Sequence, residues 1–200
     1  MISLISIDPS QLSAKDNYKF LIGSIIPRPI AFVTSQSPSG TVNGAPFSFF
    51  NIVSADPPMV SIAVQRKAGE QKDTSRNIAQ TKEFVVHIVD EGNVGKINET
   101  AASLKPDESE VELAGLTPTQ SEVVGVPGVE EAKVRMECVL EQIVTAGGAD
   151  LVIGRIVKFH IREDLYENGR IDKEKLQAVS RLAGNDYAKI GETFTIKRPD

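Results

Sequence analysis

Hydrophobic and polar positions alternate with period two over residues 133–145, through Val134, Arg135, Met136, Glu137 and Cys138. This is the pattern of a strand with one buried face. Gly147-Gly148-Ala149-Asp150 marks a turn, and residues 151–161 form a second run rich in β-branched side chains. Together they predict a long β-hairpin. Residues 30–34, 59–64 and 84–89 read as shorter strands, the second apolar enough to predict burial on both faces. Ser37-Pro38-Ser39-Gly40 is a turn signal, and Thr41-Val42 opens a return strand. The aromatic-rich run 47–54 reads as one more strand, broken by Asp56-Pro57-Pro58.

Helical spacing is confined to short stretches. Ser13 is a suitable N-cap for a helix over 13–23, with Tyr18, Leu21 and Ile22 on one face and Gly23 as its stop. Residues 73–82 predict a second helix, capped by Asp73 or Thr74 and ended by Lys82. A third falls near 94–103. Pro27-Arg28-Pro29 forces extended geometry. Residues 104–132 hold Pro106, Pro118 and Pro127 with the acidic cluster Asp107, Glu108, Glu110 and Glu112, which reads as a solvated face. From Arg162 the chain is polar, with order expected again only at 193–197. No βαβ series and no repeat is present. The fold expected is a mainly β, antiparallel barrel with short peripheral helices, one domain over 1–200.

Charge and cysteine content then narrow the function. The 200 residues hold 22 Lys and Arg against 27 Asp and Glu, a net charge of −5. That argues against a nucleic-acid partner. One cysteine, Cys138, excludes disulfide stapling, and two distant histidines, His87 and His160, supply no metal site. Residues 1–8 carry no basic, apolar leader, and no run approaches the roughly 18 apolar residues of a membrane span. A cytoplasmic protein without membrane contact is expected.

Dinucleotide, Walker, nucleophile-elbow and zincin motifs are absent, and both histidines read as strand residues. Two segments stand out. In Asn43-Gly44-Ala45-Pro46-Phe47-Ser48-Phe49-Phe50-Asn51, small residues admit close approach of a ligand, and donors sit beside aromatic rings. A turn followed by a core strand would look the same. Residues 66–82 contain Arg66, Lys67, Lys72, Arg76 and Lys82 against Glu70 and Asp73, a local balance of 5 − 2 = +3. Hydroxyls of Thr74 and Ser75 fall at the expected helix start, so the segment suits a phosphate, although capping alone would use the same residues. Together the segments suggest a planar, phosphorylated ligand.

These motifs, with Pro27-Arg28-Pro29-Ile30-Ala31-Phe32-Val33-Thr34, Ser54-Ala55-Asp56-Pro57-Pro58 and Lys72-Asp73-Thr74-Ser75-Arg76-Asn77-Ile78, resemble the flavin reductase-like family of FMN-binding split barrels. The flavoredoxin-like branch is the most similar. Arg181-Leu182-Ala183-Gly184-Asn185-Asp186-Tyr187 resembles the C-terminal Arg-Leu-Gly-Gly-x-x-Tyr element, with Ala183 in place of the first Gly.

The resemblance implies a six-stranded Greek-key split barrel, a homodimer, and FMN near the subunit interface. It places Ala45, Pro46, Phe47, Ser48 and Phe49 along the flavin, with Asn43 beside them. Lys72, Asp73 and Thr74 fall at the phosphate, with Arg28, Arg76 or Asn77 nearby, and Arg181 and Tyr187 close the site. The implied activity is an NADH- or NADPH-dependent flavin reductase with no catalytic side chain, since the flavin carries the chemistry. Electrons would pass to an acceptor protein or a monooxygenase. An FMN-binding electron carrier with no NAD(P)H oxidation of its own is the alternative, and a flavin-free β-barrel module a third reading.

Overall fold

The computed structural model describes residues 2–105 and 107–199. Met1, Pro106 and Asp200 lie outside them, so Pro106, named among the prolines of the stretch 104–132, falls outside the described residues. Seven antiparallel strands form the main sheet: β1 Ala31–Gln36, β2 Val42–Phe47, β3 Phe50–Ala55, β4 Pro58–Gln65, β5 Glu83–Ile88, β6 Val134–Ala146 and β7 Ala149–Ile161. Their order is β2-β1-β5-β6-β7-β4-β3. The two edge strands, β2 and β3, are joined by Ser48 and Phe49 alone. The sheet therefore rolls up until its edges face each other, and Ala63 N–H donates to the Phe49 carbonyl at 2.8 Å beside that seam.

The main sheet has seven strands where the resemblance implied six, and the run 47–54 is not one strand. It bends at Ser48-Phe49 and supplies the end of one edge and the start of the other. The hairpin of β6 and β7 turns at Gly147, whose φ of 55° suits glycine. Its ladder shifts register between Ile153 and Gly154 and again between Ile156 and Lys158. Strand β4 alternates, with Val60, Ile62 and Val64 buried and the residues between them half-buried. It is one-faced, not buried on both sides. Inside the roll, Val33, Phe47, Ile62, Phe84, Val86, Met136, Cys138 and Val152 form the main core. Burial pushes the Cys138 thiol far up, so it stays protonated.

Helix α1 spans Ala14–Ser24, and Ser13 Oγ accepts the Asp16 N–H as its cap. Helix α2, Asp73–Thr81, packs on β1 and sends Ile78 into the core at 0% exposure. Its N-cap is Lys72, with no side-chain cap bond. Asp73 and Thr74 do not cap it, because Asp73 pairs with Arg76 and the Thr74 hydroxyl is held elsewhere. Helix α3 is Val94–Glu99, shorter than expected, and residues 100–104 leave it as a loop. Helix α4, Glu110–Leu113, buries Glu110, so the acidic cluster is not wholly solvated.

The C-terminal third departs most from expectation. Residues 193–197 form no regular element. Order lies instead at Val179–Arg181 and Tyr187–Lys189, which pair with each other, and the former with Arg28–Pro29. Strands of two or three residues carry too little periodicity to be read, and this partner is remote in sequence. Among the described residues no helix is long and apolar enough to cross a membrane, and no cluster of three or more metal-ligating side chains occurs.

Both histidines have structural partners. His87 is fully buried. Its Nδ1–H donates to the Phe32 carbonyl at 3.0 Å, and its Nε2 accepts the Val129 N–H at 3.0 Å. Burial lowers its pKa to about 4, which keeps this ring neutral. His160 Nε2 donates to Glu137 Oε1 at 2.5 Å. Burial opposes the Glu137 charge. The backbone N–H of Glu122, His160, and the N–H groups of Val123 and Val124 outweigh it, and its pKa falls to about 2.

Candidate functional site

A cleft of about 540 Å³ opens where β2, the loop 67–72, the start of α2 and the loop 100–104 converge. The inherited order of the sheet explains the meeting. Strand β2 is an edge whose outer flank meets α4 at Val42–Gly44, and α2 packs directly over the neighbouring β1. Gly44 belongs to this edge. A Cβ there would fall 2.7 Å from Phe32 Cζ and 2.8 Å from Val111 Cγ2, so only glycine lets the strand lie this close to α4.

Asn43, Ala45, Pro46 and Phe47 line it from β2, and Lys72, Asp73 and Thr74 line it from the start of α2. The structure thus brings both singled-out segments to one cleft. The N–H groups of Asp73, Thr74 and Ser75 begin α2 with no capping side chain, leaving the positive end of the helix open. Neither Lys67 nor Lys72 is ion-paired among the described residues, and both line the cleft. Arg66 does not join them: its Nη2 and Nε hold Asp150 Oδ1 at 2.6 and 3.0 Å. Gln71 binds the other Asp150 oxygen, and these bonds fasten the loop 66–71 to the hairpin. Burial works against the Asp150 charge, but the bonds from Arg66 and Gln71 keep its pKa low.

Beneath the cleft runs a buried polar chain. Thr74 Oγ1 donates to Asn43 Oδ1 at 3.1 Å, and Asn43 Nδ2 donates to Glu110 Oε2 at 2.8 Å. The Gly44 N–H reaches the same carboxylate oxygen at 3.3 Å. Desolvation raises the Glu110 pKa above the usual carboxylate range.

The other candidates are dispersed. Ser48, Arg181 and Tyr187 line a smaller neighbouring pocket. Arg28 is buried and donates to the carbonyls of Ile22, Ile25 and Leu182, away from the cleft. Asn77 is buried and turns toward Ser35 Oγ, and Arg76 pairs with Asp73. Phe49 sits in the seam and does not line the cleft. Sequence reasoning missed Glu110, masked within an acidic run, and the loop of Thr100, Ala101, Ala102, Ser103 and Leu104. Small residues beyond a short helix carry no chemical signal of their own.

Fold and cleft together define a rolled antiparallel barrel with an open cleft beside its edge strand. The family model for the flavin reductase like domain matches residues 22–176, and the chain belongs to this family of flavin-binding proteins. Nitrilotriacetate monooxygenase component B from Bacillus cereus is similar at 59% identity and a TM-score of 0.97, covering 98% of this chain and 100% of that one. The 2-nitrobenzoate 2-nitroreductase NbaA from Pseudomonas fluorescens is 33% identical with a TM-score of 0.90, over 98% and 96% of the two chains. A split barrel domain protein from Shewanella frigidimarina, at 21% identity and a TM-score of 0.83 over 95% and 96%, shares the fold, and this chain is a split barrel.

Proposed function

We propose that this chain binds FMN in the cleft between β2 and the start of α2 and passes electrons from NADH or NADPH through it to an acceptor. The observation that carries this reading is the convergence of the 43–47 strand and the 72–74 helix start on one cavity. An apolar, small-residue wall suits a flat ring system, and the open helix end with Lys72 suits one phosphate. One such end matches FMN better than the longer, doubly phosphorylated FAD.

In this reading Asn43, Ala45, Pro46 and Phe47 hold the ring and ribityl chain, while Lys72, Asp73 and Thr74 hold the phosphate. Ser48, Arg181 and Tyr187 lie on the far side of Pro46 and Phe47. Arg28, Phe49, Arg76 and Asn77 shape the surrounding elements without contact. The flavin, when bound, accepts a hydride and releases electrons. Phe47 and Pro46 keep water from the ring. The Thr74 hydroxyl, engaged with Asn43, must turn to donate to phosphate. No side chain acts as acid or base.

Exposed apolar side chains support a homodimer: Tyr18, Phe20 and Leu21 on α1, Ile25 just beyond its end, and Ile52 and Val53 on β3. The similarity to a monooxygenase component B supports a monooxygenase as the acceptor's partner class. A single, buried thiol fits the cytoplasm. The absence of a dinucleotide fingerprint from the sequence favours the second reading, an electron carrier reduced by another protein.

The test is an absorbance titration of the purified chain with FMN and, separately, FAD, followed by NADH and NADPH without air. Tight FMN binding and bleaching by a nucleotide support the reductase. Binding without bleaching supports the carrier, and no flavin binding defeats both.

A further inference from the structure

Beside the large cleft lies a pocket of about 230 Å³, lined by Tyr18, Phe47, Ser48, Asn98, Arg181 and Tyr187 among others. It shares Pro46, Phe47 and Ala101 with the cleft, so an occupant of one borders an occupant of the other. The geometry points to this pocket as a binding site for a single-ring aromatic carboxylate. The inference rests on the flavin reading only for its neighbour, and it names the class of small molecule that meets the cofactor there.

Size sets the first limit. The volume is below the roughly 300 Å³ at which pockets for drug-sized ligands begin, so one ring and one acid group fit where a dinucleotide does not. The lining sets the rest. Three aromatic rings, from Tyr18, Phe47 and Tyr187, offer a ring its surfaces. Arg181 supplies charge: its Cζ lies 4.5 Å from the centroid of the Tyr187 ring. Its Nη2 donates to the Gly184 carbonyl at 2.6 Å. Among the described residues no carboxylate pairs with Arg181, so the rest of its planar fork is free for a bidentate acid.

The walls are also braced. Tyr187 Oη donates to Asn98 Oδ1 at 2.9 Å, which sets the ring that Arg181 lies on. Arg28 ties the end of α1 to Leu182 through its bonds to the Ile22, Ile25 and Leu182 carbonyls. The helix that carries Tyr18 and the segment that carries Arg181 are therefore tied together by one buried guanidinium. The sequence places these parts 163 positions apart, at 18 and 181, and the pairing of Arg28 with Arg181 across the small sheet, with the Arg28 side-chain bonds, brings them together.

Calorimetric titration with benzoate and with its neutral isostere benzamide tests this, on the chain with and without FMN. Benzoate is expected to bind once per chain and at least tenfold more tightly than benzamide. Arg181→Ala should collapse that ratio toward one, and Arg181→Lys should restore part of it. Equal affinity for the two probes, or a ratio unchanged in Arg181→Ala, overturns the proposal. The comparison of probes on the unaltered chain needs no variant to fold. FMN binding without benzoate preference sinks this pocket alone. Arg181-dependent benzoate preference in a chain that refuses FMN leaves the pocket standing and removes the flavin reading.

Discussion

Asn43 and Glu110, 67 positions apart, are joined by a buried hydrogen bond of 2.8 Å from Nδ2 to Oε2. This bond orients the whole carboxamide. With its amine end fixed on Glu110, the Asn43 oxygen must face Thr74, and the start of α2 is thereby locked to the edge strand.

Removing the acceptor should therefore be costly. Glu110→Ala leaves Asn43 Nδ2 and the Gly44 N–H unpaired, and about 1–3 kcal/mol of stability should be lost. Glu110→Gln keeps an acceptor oxygen and should lose less. Urea denaturation of the three proteins checks the order, and an alanine variant as stable as the parent would refute it.

At the other end of the cleft, Lys72→Ala should weaken FMN binding by roughly tenfold or more, since charge-assisted bonds contribute about 1.5–3 kcal/mol. The loss should shrink at high salt, where exposed charges are screened. Fluorescence quenching of FMN at two ionic strengths reads both effects. An unchanged affinity would remove Lys72 from the phosphate end.

Gly154 faces the buried ring of Phe84, and an added Cβ would overlap that ring. Gly154→Ala should destabilise the barrel by about 1–3 kcal/mol, the usual cost of overpacking. Adding Phe84→Leu should recover part of it. The check is whether the double variant unfolds at a higher temperature than Gly154→Ala alone.

Acid should lower the protein's stability over two successive pH windows. The folded pKa of His87 lies below its usual 6.5, at about 4, so its contribution is complete above pH 6.5 and lost as pH falls toward 4. At about 1.4 kcal/mol per unit, the loss is about 3 kcal/mol. Glu137, lowered from 4.5 to about 2, withdraws its share only below pH 4.5. Glu110 has the opposite sign, its raised pKa favouring the fold below the usual carboxylate range and less as pH climbs through the raised value. Urea midpoints from pH 7.5 to 4 should fall, and His87→Gln should flatten the slope between 6.5 and 4.

The hairpin of β6 and β7 was legible because thirteen-residue strands show their alternation plainly. So were α1, through Ser13, and the two segments that meet at the cleft. The bend at Ser48-Phe49 was not, since both halves are apolar and local pattern cannot reveal that they belong to opposite edges. Glu110 was hidden for a related reason. Its neighbours Asp107, Glu108 and Glu112 are exposed, and the distant Asn43 and Gly44 make its burial tolerable. Likewise Arg66, Arg76 and Lys72 look equivalent in sequence. Asp150 and Asp73 claim the first two and leave the third.

The burial of Cys138 bears on life in air. Reduced flavins hand electrons to dioxygen and release peroxide beside the protein that holds them. The sole sulfhydryl of this chain is sealed in the barrel at 0% exposure and held protonated. Peroxide reacts with thiolates that solvent can reach. If the proposed flavin site turns over in air, the peroxide formed there meets no accessible thiolate on this chain.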